Sequence, residues 1–417
     1  MTISPRFKLT VGLGICAVVA AFLAPRLNAF AVPNDPDQPT VADAELPPPD
    51  DKPLVEEETP QIAEVKPDPR PDPKPTPRPQ PVKTRPVDIV ICLDNSGSME
   101  GLIDSARAKL WEIVNEVLVV EPNAQLRVGL ISFGSPIDGV EVSGWVVKQM
   151  DLTNDLDTLY AKMMALKTDG GEEYVGWAIH DAVEKMAWST KANAAHLVYV
   201  AGNESADQGR DSFNFRHVST QAREKKILIS TIFAGNVQTG RDLKWGAVAK
   251  NGGGTYAAID MNAGIKQIVT PQDKALIELN EALNGTYIPY GSRGEAGLEN
   301  QIAQDNNSDQ TSSLTTRVST KGSSAYVNPF WDLVDAFTLN SIDVGSLADG
   351  DLPTAMQGLN EEDRLRYIEE KIAEREKIKE EIRQLTEERQ GVLEKERAKR
   401  AVDGFDDAMR ESLEQML

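Results

Sequence analysis

The chain has 417 residues, a formal net charge of −21 and 25 prolines, with 40% hydrophobic but only 6% aromatic residues. That charge disfavours nucleic acid and anionic lipid surfaces as partners and suits divalent cations and basic proteins. The two cysteines, Cys16 and Cys92, exclude a disulfide-built scaffold.

Residues 1–31 read as an export signal. Arg6 and Lys8 precede an apolar stretch from Leu9 to Ala24, and Ala29-Phe30-Ala31 has the form of a cleavage site. The stretch is short for a membrane span, so cleavage is the expectation and retention as an anchor the alternative. The expected location is therefore the periplasm, the cell envelope or the exterior, with membrane contact only through an uncleaved N-terminus. Ile15 is too large for the small residue expected before a lipidated cysteine, which argues against a lipoprotein at Cys16. Cleavage leaves Cys92 alone, hence no intrachain disulfide. Residues 32–86 are rich in proline and charge and poor in apolar side chains, so they build no core. Every second residue from Pro67 to Pro81 is proline, which predicts a semi-rigid polyproline II spacer of roughly 45 Å.

Residues 87–262 predict one α/β domain: a doubly wound, mainly parallel sheet with helices on both faces. Val87, Ile89, Val90, Ile91 and Leu93 suit a strand buried on both faces. Ile103, Ala106, Leu110, Ile113, Val114 and Val117 then follow at helical spacing. Further strands are expected over 126–133, 144–150, 196–201, 227–233 and 254–258. The matching helices are expected over 156–166, 175–186, 212–225 and 242–250. Between the first strand and first helix lies Asp94-Asn95-Ser96-Gly97-Ser98, which puts one carboxylate and two hydroxyls at alternate positions. A strand end leading into a helix is the usual ligand crevice of an open α/β sheet. Those oxygens suit a hard divalent cation, Mg2+ or else Mn2+ or Ca2+, while a simple helix-capping loop is the bland alternative.

Residues 263–359 predict a helical and irregular region. A helix is expected over 271–283, and the aromatic-rich segment 325–337 reads as packing against the α/β domain or its own neighbours. Asp305 to Ser313 is polar enough to be expected mobile. Residues 360–417 predict a long charged helix carrying Leu365, Ile368, Ile372, Ile378, Ile382, Leu385 and Val392 at heptad-like steps. Arg375 and Arg389 interrupt that seam. A coiled coil giving a homo-oligomer and a helix docked on its own chain both remain open.

The motif at Asp94, Ser96 and Ser98 resembles the start of the metal-ion-dependent adhesion site of the von Willebrand factor type A domain, over about residues 87–262. The resemblance implies that a threonine in a second loop and an aspartate in a third complete the cation shell, and that a partner's carboxylate often fills the open position. This chain departs at both later loops. Matching Gly176 and Ala178 to the family's Gly and Ala puts Val175 on the threonine position, with Glu173 the nearest substitute and Thr168 several residues early. Where the family has Thr-Asp-Gly, the chain has Gly202-Asn203-Glu204, and Asn203 and Glu204 both remain candidates. This third-loop variant resembles that of a subset of bacterial secreted or envelope type A proteins, and implies a more carboxylate-rich shell that weakens the pull on an acidic partner.

No nucleophile elbow or phosphate loop is present, and His180, His196 and His217 lack zinc-motif spacing. The expected function is an exported, cation-dependent protein-binding module without catalysis. The alternatives are an envelope assembly protein associating through its C-terminal helix, with a metal that only stabilises the domain, and a metal-dependent hydrolase.

Overall fold

The computed structural model describes residues 84–101, 103–136, 143–259, 268–399, 410, 411, 413 and 414. The expected export signal, nearly all of the proline-rich spacer and most of the C-terminal tail lie outside the described residues.

In chain order the first half comprises β1 (Arg85–Asp94), α1 (Ile103–Val120), β2 (Ala124–Phe133), β3 (Val147–Thr153), α2 (Leu156–Ala165), α3 (Val175–Lys185), β4 (Ala195–Gly202), α4 (Phe215–Glu224), β5 (Ile227–Ala234), α5 (Val237–Asp242), α6 (Trp245–Gly252) and β6 (Gly253–Ile259). The sheet order is β3-β2-β1-β4-β5-β6, with β3 antiparallel to β2 and every other pairing parallel. Alternation along β1 sends Val87, Ile89, Ile91 and Leu93 to the layer holding Leu110, Trp111 and Tyr160. Val90 and Cys92 go to the opposite layer, with Ala178, Val218 and Trp245. Strand order reverses between β1 and β4, so the chain leaves their C-terminal ends toward different faces and opens a crevice there.

The elements depart from the periodicity most clearly at three places. The third strand starts at Val147 rather than 144, after a turn in which Gly144 and Trp145 take positive φ. The helix expected over 212–225 begins at Phe215, behind a short 3-10 turn at Asp211–Phe213 and an Asn214 cap. The helix expected over 242–250 is instead α5 and α6, separated where Lys244 adopts the left-handed conformation, φ 75°.

The second half comprises α7 (Asp273–Asn284), α8 (Gly294–Gln310), α9 (Leu314–Lys321), α10 (Leu333–Thr338) and α11 (Glu361–Lys399). Its apolar side chains Leu276, Leu283, Val318, Tyr326, Ile378 and Ile382 join the core layer that α1 and α2 form with β1. Polar bonds pin the same contact. Trp111 Nε1 donates to Ser308 Oγ at 3.1 Å, and Asn115 Nδ2 to the Thr316 carbonyl at 2.8 Å.

Asp305 to Ser313 is not the mobile stretch expected from its polarity. Residues up to Gln310 complete α8, and Asp305, 7% exposed, lies between Arg317 (2.7 Å) and Lys321 (2.9 Å). Arg317 also reaches Asp157 of α2 at 2.7 Å and lies over the Trp111 ring. Burial pushes Asp305 up, but the adjacent Lys321 and Arg317 cations more than offset this and hold it at about 2.

The long helix α11 docks on its own chain. Ile368, Ile378 and Ile382 are buried within the chain. The two arginines that interrupt the seam serve the same contact. Arg375 holds Asp332 at 2.6 Å and Asp335 at 2.9 Å, while Arg389 holds Asp273 at 2.9 Å. Those three buried apolar residues of the seam are therefore covered within the chain. Among the described residues no helix is long and apolar enough to cross a membrane.

Candidate metal centre

Asp94 is the last residue of β1, paired with Phe133 of β2, and its side chain is fully buried at the crevice. Its Oδ1 accepts the Ser96 backbone N–H at 2.8 Å, the turn expected when a carboxylate folds the two following residues back on itself. Its Oδ2 has no hydrogen-bond partner among the described residues. Burial pushes Asp94 up to about 7; the Ser96 amide and hydroxyl oppose that rise and the Glu173 carboxylate adds to it.

The two serines follow this carboxylate on the same loop. Ser96 is buried and Ser98 exposed, with their hydroxyl oxygens 3.0 Å apart. Ser98 Oγ donates to Asn203 Oδ1 at 2.9 Å, and Asn203 Nδ2 donates back to the Ser98 carbonyl at 3.2 Å. This reciprocal pair ties the loop after β4 to the loop after β1 and fixes the Ser98 side chain.

Glu173 comes from the loop before α3 and is 6% exposed. Burial raises its pKa, opposed by hydrogen bonds from Ser96 and Gln208. Its loop is strapped along the first: Ser96 bridges Asp169, the Asp169 amide donates to the Asn95 carbonyl at 3.3 Å, and Asn95 Nδ2 donates to the Lys167 carbonyl at 3.1 Å.

Two glycines that sequence reasoning passed over make the cradle. A Cβ on Gly134 would lie 3.0 Å from Asp94 Oδ1, and one on Gly202 would lie 2.8 Å from Asp94 Oδ2. The backbone thus approaches both oxygens at distances that a side chain would crowd. Their signal in the sequence was a glycine at the C-terminal end of a predicted strand on each side of β1.

The structure brings together Asp94, Ser96, Ser98, Asn203 and Glu173. It leaves Glu204 out: that side chain is exposed, and its carbonyl accepts Trp245 Nε1 at 2.6 Å. Among the described residues no three His, Cys, Asp or Glu side chains gather at one point, so the carboxylate-rich shell expected with Glu204 is not assembled. Thr168 is half-buried beside the Asn95 contacts, and no hydrogen bond joins it to Asp94, Ser96 or Ser98. Val175, which replaces the family threonine, is fully buried in the core.

The residues fit a hard divalent cation. A buried carboxylate oxygen without a hydrogen-bond partner, two hydroxyls and an amide oxygen form an all-oxygen set, and among the described residues no cation is paired with that carboxylate. Leaving such a carboxylate ionised and unpaired is costly, and a bound cation removes the cost.

Residues 88–270 match the family model of the von Willebrand factor type A domain. No curated protein matches the chain. Among solved structures, it is similar to the SpRpn10 VWA domain, at 15% identity over 44% of this chain and 98% of that one, TM-score 0.31. It is also similar to proximal thread matrix protein 1 from the mussel byssus with a zinc-occupied MIDAS motif, at 13% identity over 44% of this chain and 43% of that one, TM-score 0.33. The pilus adhesin SpaC from Lactobacillus rhamnosus GG shows 14% identity over 51% of this chain and 33% of that one, TM-score 0.35. This chain thus spans less than half the length of the mussel and pilus chains.

Proposed function

We propose that the type A domain binds a divalent cation through Asp94, Ser96 and Ser98 and uses it to take an acceptor oxygen from a protein partner. The observation that carries this reading is Asp94 Oδ2, buried and without a hydrogen-bond partner among the described residues, at the head of the loop that carries the paired Ser96 and Ser98 hydroxyls. The all-oxygen donor set favours Mg2+, with Mn2+ and Ca2+ as alternatives. When bound, the cation supplies a fixed positive charge and a coordination place open to an outside oxygen. Asn203 holds the Ser98 hydroxyl in place, Glu173 does the same for Ser96, and Gly134 and Gly202 keep the cradle narrow. We further propose that the protein is exported, that it acts by binding rather than catalysis, and that the proline-rich residues 32–86 space the domain from its point of attachment.

Trp245 lies against Gly202 and donates to the Glu204 carbonyl, so its fluorescence reports on the third loop. Titrating Mg2+, Mn2+ and Ca2+ into the full chain should give a saturable change that Asp94→Ala abolishes while circular dichroism stays native. A flat titration for all three cations, or an unchanged one in the variant, overturns the reading.

A further inference from the structure

The rim of the proposed metal centre has a charge opposite to the one that a bare acidic partner would seek. Glu100, Asp169, Glu172, Glu204 and Asp211 are exposed on the three loops that form the site, and Lys167 and Arg210 are the cations of the same loops. The loops hold three of these acids close to the crevice. The Glu100 amide donates to the Gly97 carbonyl, Asp169 is bridged to Ser96, and the carboxylate of Glu204 acts on that of Glu173. Glu172 accepts the Tyr174 hydroxyl, and Arg210 is turned over the Trp177 ring, 5.4 Å from its centroid. Asp207 on the same loop is already held by Arg216 at 2.6 Å.

Counting Asp94 and Glu173 with the rim, a divalent cation leaves the site net negative. A second observation, the buried Asp94 Oδ2 without a hydrogen-bond partner among the described residues, favours a positive group in the crevice. An isolated carboxylate nearing a bound cation therefore crosses a field of its own sign over the last ~10 Å, where salt does not screen it fully. Lysine or arginine on either side of that carboxylate reverses the sign. Like-charge juxtaposition at a rim suppresses wrong partners, and complementary charge speeds the right ones.

Resting on the metal-centre reading, we infer that the site selects a basic segment: a single acceptor oxygen flanked by lysine or arginine, with the flanks engaging the acidic rim while the oxygen meets the cation.

Two fluorescent pentapeptides test this against the full chain in Mg2+, one with a central aspartate between paired lysines and one with the same aspartate between paired glutamates. The lysine-flanked peptide should bind at least about tenfold more tightly, with an affinity that falls as salt rises. The triple variant D169N/E172Q/D211N should reduce that preference several-fold while the Mg2+ titration of Trp245 fluorescence stays saturable, its midpoint raised by no more than about tenfold. Equal affinity for the two peptides in Mg2+, or an unchanged preference in the triple variant, overturns the inference alone. Binding of the lysine-flanked peptide that survives excess chelator undiminished overturns the metal-centre reading beneath it.

Discussion

Asp94 at the end of β1 and Asp305 in the middle of α8 are both withdrawn from water, and their surroundings treat them in opposite ways. Asp305 sits between Arg317 and Lys321 and accepts the side-chain amides of Asn280 and Asn284, at 2.9 and 2.8 Å. Its charge is matched by the chain itself. Asp94 has the Ser96 amide and hydroxyl, the Asn203 amide and a second carboxylate nearby, and its Oδ2 has no hydrogen-bond partner among the described residues. Among the described residues no cation is paired with it. The same physics makes the first arrangement a fastener and, on the proposed reading, the second a receptor, because a buried charge is tolerated only when a counter-charge is fixed beside it.

The largest effect should come from breaking the fastener. Arg317→Met removes the cation shared by Asp157 and Asp305 and leaves two carboxylates buried, which costs about 3–5 kcal/mol in chemical denaturation. At the receptor the sign should reverse. Asp94→Asn removes a charge that has no partner and should stabilise the cation-free protein at pH 8 by roughly 1–4 kcal/mol. A loss of stability in Asp94→Asn comparable to that in Arg317→Met breaks the comparison.

The two carboxylates should also differ in their dependence on acid. Asp305 has a lowered pKa, so its stabilisation is complete above the ordinary value of 3.8 and is lost as pH falls through about 2. That amounts to about 2 kcal/mol at most. Asp94 has a raised pKa, so without cation its burial costs nothing below 3.8, and the cost grows until pH passes about 7. Denaturation of wild type and Asp94→Asn in chelator, followed from pH 4 to 8, should show two curves that diverge upward through that window. Parallel curves contradict the assignment.

Smaller effects separate the site's own members. Asn203→Ala frees the Ser98 side chain and should weaken cation affinity by about tenfold, the range expected when an orienting group is lost. Glu204→Gln changes an exposed rim charge and should alter cation affinity by less than about threefold. Calorimetric titrations of the two variants in one buffer check the order, and a larger loss for Glu204→Gln reverses the placement of the third-loop residue.

The sheet was legible in the sequence because its strands are short apolar runs whose burial on both faces leaves little room for other readings, as in Val87 to Leu93. The first site loop was legible for a related reason: its oxygens are local, within five residues. The later loops were not. Whether Asn203 or Glu204 faces Ser98 depends on how β4 pairs with β1, a relation between residues 105 positions apart. Asp305 was misread because its partners lie 12 and 16 residues onward, so a polar helix looked like a solvated strand of chain. Arg375 and Arg389 were noticed as interruptions of an apolar seam. Their meaning, an α11 face that meets acids of its own chain, needed the fold.

The central claim is that Asp94 is left unmatched so that a cation can match it. Thermal unfolding of wild type and Asp94→Asn, each with and without saturating Mg2+, tests it most directly. The account predicts that Mg2+ at about one hundred times its dissociation constant stabilises wild type by about 2.7 kcal/mol. It predicts no such shift in Asp94→Asn, which should start above cation-free wild type. Equal stabilisation of both proteins by Mg2+, or a cation-free variant less stable than wild type, would contradict it.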